Sequence, residues 1–260
     1  MSIIDTHAHL DHLANLDQAI ANAKNAKVSA IAAMSMDLAS CRRNLEIKKT
    51  TDGLRIFLAM GIHPAEVRME ELEPCLDLVR GNREELSAIG EIGLDFWYKA
   101  VRKDKQKHEE QRQVFRAFLE LAKELDLPVV IHARGTWREC LETTKNIGIQ
   151  KVVFHWYSGP LDILKDIIAS NYFISASPAL AHSPQLREVM SHAPMEQILI
   201  ETDCPVFFKN SDEDPGFIAE PKDVWRTLKA YCELKKISQQ DALTVLNQNA
   251  KDFFGIEAFR

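Results

Sequence analysis

The sequence has no run approaching 18 apolar residues, so no transmembrane helix is expected. Cysteine is sparse: five, at positions 41, 75, 140, 204 and 232. The number is odd, and no two stand at a Cys-x-x-Cys spacing. That argues against a disulfide framework or a structural zinc knuckle, and for a reducing compartment. Glycine and proline number ten each in 260 residues, too few for a low-complexity chain. Positive charge is not in excess, since 32 Lys and Arg face 38 Asp and Glu for a net charge of −6. Gripping nucleic acid by bulk charge is thereby excluded, whereas a local patch or a bound metal is not. The start, Met1-Ser2-Ile3-Ile4-Asp5, has no basic segment ahead of a long apolar stretch, so no secretory signal is expected. Together these absences predict a soluble, cytoplasmic protein that does not engage membranes. Nothing specifies an oligomer, and a monomer is the starting expectation.

What is present is apolar content, 46% of residues, enough for a large core. The length fits two small domains or one large barrel. Eight short β-branched runs recur: Ser2–Asp5, Val28–Met34, Arg55–Gly61, Ala88–Glu91, Val129–His132, Val152–His155, Tyr172–Ser175 and Ile198–Glu201. Most are continuous rather than alternating, as in parallel strands covered on both faces. Helical patterns lie between them. Leu16–Asn25 is one, and Glu109–Leu125 is the clearest, with Val114, Phe118, Leu121 and Leu125 on one stripe. Eight βα units predict an α/β fold, a (β/α)8 TIM barrel over about residues 1–220, in a single domain. Two closing helices, Lys222–Leu234 and Gln239–Lys251, follow within about 221–260. An open doubly wound sheet is the alternative. Two charge runs stand out: the basic segment Lys99–His108, predicted as a loop, and the acidic Asp212–Asp214.

Histidines and acids gather at the strand ends. His7 and His9 follow the first strand as His-x-His, a spacing that points both imidazoles to one face. His63 follows the third strand and Glu91 ends the fourth. His132 ends the fifth, His155 the sixth, and Asp203 follows the eighth. In a parallel barrel these ends share the face on which active sites form. Leaving His63 aside, four imidazoles and two carboxylates meet there. Such a set suits a divalent ion, and it exceeds what one ion needs. Buried together without a cation, these groups would be costly.

The motifs Asp5-Thr6-His7-Ala8-His9, Gly61-Ile62-His63-Pro64, Gly90-Glu91-Ile92-Gly93-Leu94-Asp95, Ile131-His132-Ala133-Arg134, Phe154-His155-Trp156-Tyr157-Ser158-Gly159 and Ile200-Glu201-Thr202-Asp203-Cys204-Pro205 fall in order along the chain. With Asn249-Ala250-Lys251-Asp252-Phe253-Phe254-Gly255 near the end, the sequence resembles the TatD-type metal-dependent deoxyribonucleases of the amidohydrolase-like superfamily. The resemblance implies two divalent ions, zinc, magnesium or manganese. His7, His9, Glu91 and Asp203 would hold one. Glu91, His132 and His155 would hold the other, with Glu91 bridging. His63 and Arg134 would lie close by and contact a phosphate. Glu201 would either ligate or orient a ligand. The substrate implied is DNA, attacked from a 3′ end; a recessed barrel mouth favours a single-stranded end over a duplex, and the expected chemistry is attack by a metal-activated water with Asp203 as general base.

Two loops depart from the family pattern. Gly216-Phe217-Ile218-Ala219-Glu220-Pro221 keeps Glu-Pro but lacks the usual Arg-x-x-Asn, and Trp156-Tyr157 replaces the usual Cys-Phe. Trp156 and Tyr157 are expected to flank substrate. So are Phe96, Trp97 and Tyr98, ahead of the basic segment. Two other readings remain open at this point. One is a metal-dependent hydrolase of a small ester, amide or lactone, or of an aminoacyl ester on tRNA. The other is a non-catalytic binding protein on a retained barrel.

Overall fold

The computed structural model describes residues 1–209 and 214–255. Eight parallel strands form one sheet in sequential order: β1 Ile3–Ala8, β2 Val28–Met34, β3 Arg55–Met60, β4 Leu86–Asp95, β5 Val129–Arg134, β6 Val152–Phe154, β7 Phe173–Ala176 and β8 Ile198–Ile200. The sheet curls into a nearly closed barrel. Its seam is stitched at the top by an Ala8–Cys204 bridge. The Asp203 amide donates to the His7 carbonyl at 2.9 Å, and the His9 amide to the Cys204 carbonyl at 2.9 Å.

Each strand is followed by a helix: α1 Leu16–Asn25, α2 Leu38–Thr50, α3 Met69–Gly81, α4 Lys105–Leu125, α5 Trp137–Ile147, α6 Leu161–Ala169, α7 Pro184–His192 and α8 Val224–Lys235. The single-barrel expectation therefore holds in place of an open sheet. The first of the two C-terminal helices, α8, fills the eighth outer position. The second, α9 Gln239–Phe254, has a different job. Its last turn brings Phe253 and Phe254 into the barrel's inner core with Ile4, Phe57, Val130 and Leu199. Small side chains on the inner wall, Ala30, Ala32, Ala59 and Ala88, leave room for these rings. Asn247 and Asn249 fasten α9 to the strand starts through Ser2, Ile4 and Ile198. The floor of the barrel is thus plugged, and its other mouth stays open.

α4 begins earlier than its apolar stripe suggests. The Asp104 carboxylate caps it, accepting from the amides of Gln106 and Lys107 at 3.0 and 3.2 Å. Lys105–His108, expected in a loop, therefore form its first turn, and of the basic segment only 99–104 remain in the connection from β4. Val114, Phe115, Phe118, Leu119, Leu121 and Ala122 are its buried face. After β8, a small antiparallel hairpin, β9 Phe207–Phe208 and β10 Phe217–Ile218, rises beside the open mouth. In the acidic run Asp212–Asp214, residues 212 and 213 lie outside the described residues.

Candidate metal centre

β4 runs on to Asp95, four residues past its predicted end, and that extension organises the site. Glu91, Gly93 and Asp95 alternate along it, so both carboxylates face the barrel axis. β1 likewise reaches Ala8, which delivers His7 and His9 to the seam. His63 follows β3, His132 lies on β5, His155 follows β6, and Asp203 follows β8 at a φ of 52°. The structure brings these seven residues together at the open mouth, and Arg134 stands at the edge of the same cavity of about 600 Å³.

One carboxylate joins two groups of ligand atoms. Glu91 Oε2 lies 3.3 Å from His7 Nε2 and 3.5 Å from His9 Nε2. Asp203 Oδ1 is 3.4 and 3.3 Å from the same two nitrogens, which are themselves 3.4 Å apart. Ligands about 2.0–2.1 Å from a tetrahedral zinc stand about 3.3–3.4 Å from one another. The spacing of His7, His9 and Asp203 fits a divalent ion, and Glu91 Oε2 stands beside both imidazoles. On the other side, Glu91 Oε1 lies 2.7 Å from His155 Nε2 and 2.9 Å from His132 Nδ1, with those nitrogens 3.3 Å apart. These distances are shorter, as befits direct hydrogen bonds between the groups. The donors are all nitrogen and carboxylate oxygen, a set that accepts zinc, manganese or magnesium.

The second group has strong support behind it. His132 Nε2 meets Asp95 Oδ2 at 2.9 Å, so its Nδ1 faces Glu91. Asp95 is fully buried. It also pairs with Arg134 Nε at 2.8 Å and accepts the Trp97 amide at 2.9 Å. His155 Nδ1 meets Glu201 Oε1 at 3.3 Å, and the Ser175 hydroxyl donates to the other Glu201 oxygen at 2.5 Å. Such carboxylate partners fix the ring and raise its basicity. Glu201 thus backs His155. The sequence motif contains Asp95 but gave it no role. The available signal was the continued alternation from Glu91.

Charge balance follows the geometry. Burial works to raise the Glu91 carboxyl, but its histidine neighbours, His155 foremost and His7 with it, outweigh burial and hold it well below the usual carboxylate range. Burial likewise opposes ionisation of Asp203, and His9, His7 and His155 overcome it. Burial disfavours protonated His155, yet Glu91 and Glu201 raise it well above the ordinary histidine value. His9 and His132 are raised in the same way by Asp203, and by Asp95 with Glu91, respectively. The cluster holds protons between imidazoles and carboxylates, and a cation can take the place of those protons.

His63 behaves differently. Its Nδ1 accepts the Ala65 amide at 3.0 Å, so in the neutral ring the proton sits on Nε2, facing Glu91 Oε1 at 3.6 Å. Burial, reinforced by His132, His9 and His155, pushes it down to about 3, so it stays neutral. A ring locked as an Nε2–H donor offers no lone pair at that atom for a metal. It offers a hydrogen bond to an anion.

The structure divides the two aromatics after β6. Trp156, at a φ of 40°, lines the cavity. Tyr157 does not flank it. Adjacent residues diverge here, and Tyr157 is buried in the core, its hydroxyl donating to the Pro160 carbonyl at 2.8 Å. Tyr98, expected to flank substrate, does line the cavity, and so does His12, which the sequence did not single out. His12 Nε2 sits 3.4 Å from Asp11 Oδ2, and the Tyr98 ring carries the Arg134 guanidinium at 4.7 Å. Among the described residues, no helix is long and apolar enough to cross a membrane.

Comparison with known proteins agrees with this architecture. An uncharacterized metal-dependent hydrolase from Methanocaldococcus jannaschii is 30% identical, with 96% of each chain covered. Deoxyribonuclease TATDN3 of Homo sapiens is 28% identical over 98% of this chain and 95% of its own length. The crystal structure of YJJV, a TatD homolog from Escherichia coli, superposes with a TM-score of 0.85 at 24% identity, covering 98% of both chains. The family profile described as TatD related DNase matches residues 4–255. The chain belongs to the TatD family of metal-dependent hydrolases.

Proposed function

We propose that the protein cleaves phosphodiester bonds of DNA at single-stranded ends, using two divalent ions held on either side of Glu91. The observation that carries this reading is the division of that one carboxylate: Oε2 faces His7 and His9, and Oε1 faces His132 and His155. The residues fit the ions by donor type and, at His7, His9 and Asp203, by spacing. Divalent ions bound there supply Lewis acidity, which acidifies water and offsets charge on phosphoryl oxygens.

The remaining roles belong to the chain. Asp203 is held ionised at the cavity edge and takes the proton of the attacking water. Attack forms a new P–O bond, and the bond to the leaving sugar oxygen breaks. His63, neutral with Nε2–H directed inward, donates to a non-bridging phosphate oxygen. Arg134, held through Nε by Asp95, keeps its terminal amino groups for the phosphate. Trp156 walls the cavity on the β6 side. A recessed barrel mouth admits a chain end more readily than a duplex.

One observation favours a second reading, hydrolysis of a small ester, amide or lactone or of an aminoacyl ester on tRNA. The hairpin presents exposed Phe207 and Ile218 beside the mouth, close to where the family pattern carries Arg and Asn. The test separates the two. Purified protein is incubated with magnesium, manganese or zinc and an end-labelled single-stranded oligonucleotide, beside an Asp203→Ala control. Metal-dependent shortening that the control loses by roughly a hundredfold or more is expected. No shortening with any metal, alongside turnover of an ester or lactone, overturns the nuclease reading.

A further inference from the structure

Large apolar side chains are almost all inside this protein. Among the described residues, four are exposed: Met1, Trp97, Phe207 and Ile218. Apart from Met1, all lie on loops of the open mouth. They fall in two places, after β4 and after β8. In a barrel of eight sequential strands those are opposite sides.

Phe207 and Ile218 are a cross-strand pair on their hairpin, with the Phe207 ring over Gly216. Trp97 has no such local explanation. It is 59% exposed, yet its ring is fixed. The indole lies on Gly135, where a Cβ would sit 2.2 Å from Nε1, and Gly135 has a φ of +75°. No side chain fits between. The Trp137 ring supports it edge-on at a centroid distance of 5.8 Å. The Trp97 amide donates to Asp95, the same carboxylate that holds His132 and Arg134. A flat aromatic surface is therefore tied to the metal-bearing strand and still turned to solvent.

Its neighbours indicate what it meets. The next residue, Tyr98, lines the cavity, and the residue before Gly135 is Arg134. The two aromatics thus flank Arg134, Tyr98 on the inner side and Trp97 on the outer. Beyond Trp97 stand Lys99, Arg102 and Lys103, all exposed. A rigid aromatic face followed by cations is the arrangement that holds single-stranded nucleic acid, bases on the ring and phosphates on the charges.

We propose that Trp97 is a base-stacking platform that takes the nucleobase next to the scissile phosphate of a single-stranded DNA end. This rests on the phosphodiesterase reading above. With a phosphate at Arg134, the adjacent nucleoside extends outward over Gly135, and its base lies on the indole. The phosphates beyond it pass along Lys99, Arg102 and Lys103. Stacking of this kind is indifferent to base identity, so the site confers little sequence preference.

The test uses two cleavage-resistant phosphorothioate ligands of equal length, each end-labelled with a fluorophore. One is oligothymidylate, and the other has the same backbone without bases. Binding is read by fluorescence anisotropy for the native protein, Trp97→Ala, Trp97→Phe and Phe207→Ala. Trp97→Ala should weaken oligothymidylate binding about tenfold, as expected for loss of one stacked base, and penalise the base-free ligand far less. Trp97→Phe should recover most of the loss. An equal penalty on both ligands means that the change acts through the loop or its charge, and overturns the proposal. So does native affinity in Trp97→Ala, or a loss found only on Phe207→Ala. If the native protein cleaves DNA and Trp97→Ala binds it normally, the platform fails alone. If the native protein neither binds nor cleaves DNA, the nuclease reading fails and the platform with it.

Discussion

Asp95→Asn is the most informative single change in this structure. The substitution keeps shape and volume at a fully buried position but removes the charge that three groups share. His132 loses a charged acceptor at 2.9 Å, and Arg134 loses its partner at 2.8 Å. If the new amide turns its NH2 toward His132, it donates to Nε2 and forces the ring proton onto Nδ1. That is the atom facing Glu91 and His155. A hydrogen bond to a charged group contributes about 1.5–3 kcal/mol. Loss of a carboxylate behind a metal-binding histidine costs about 10–100-fold in affinity, or about 1.4–2.8 kcal/mol. The two scales agree, so zinc affinity should fall by that factor at the Glu91, His132 and His155 group. The quartet with His7, His9 and Asp203 has no contact with Asp95 and should change much less. Isothermal titration of metal-free protein resolves the two events. The reasoning is refuted if both retain native affinity in a variant with native circular dichroism and an unchanged unfolding midpoint.

Other consequences can be checked on the same material. Glu91→Gln removes the shared charge, so bound metal should fall below the native content and turnover should drop by at least about a hundredfold; native mass spectrometry and initial rates read both. Metal-free protein should be most stable near pH 6.5. The raised values of His9, His132 and His155 give stability that is complete below about 6.5 and is lost as pH rises through them. His63, lowered to about 3, works oppositely: its share is complete above about 6.5 and fades as pH falls. Melting temperatures in a chelator across pH 5–9 should therefore form a dome, and a monotonic curve contradicts this. Phe253→Ala should cost about 3–5 kcal/mol in urea unfolding, because the ring plugs the barrel floor, while metal affinity at the far mouth holds.

Much of this was legible in the chain, because a parallel barrel writes its strands as continuous apolar runs. Val28–Met34 and Leu16–Asn25 fall where their patterns place them. The strand ends that carry the site were harder. β4 passes through Gly90, Glu91, Gly93 and Asp95, residues with poor strand preference, so its last turn of the pleat escaped notice. Asp95 went with it. Tyr157 illustrates the converse error. A side chain two residues from a ligand was read as facing the substrate, whereas the strand had already ended and the backbone turned it into the core. The basic segment was read as loop because its helix begins in lysines, not apolar residues, and the Asp104 cap was the overlooked signal. Neither the pinning of Trp97 by Gly135 nor the locked tautomer of His63 is local in sequence. Both needed the fold.

The seam of the barrel has a temporal consequence. His7 and His9 precede Asp203 by nearly 200 residues along the chain. They become neighbours only when the Ala8–Cys204 bridge shuts the ring. A growing chain holds the histidine pair long before it holds the carboxylate that completes the quartet. At about 5–20 residues per second, many seconds of synthesis separate them. Competence to bind that ion is therefore withheld until the ring closes. An arrested or truncated product that ends before residue 203 carries three members of the quartet and lacks the fourth. For a hydrolase of this kind, incompleteness is its own safeguard.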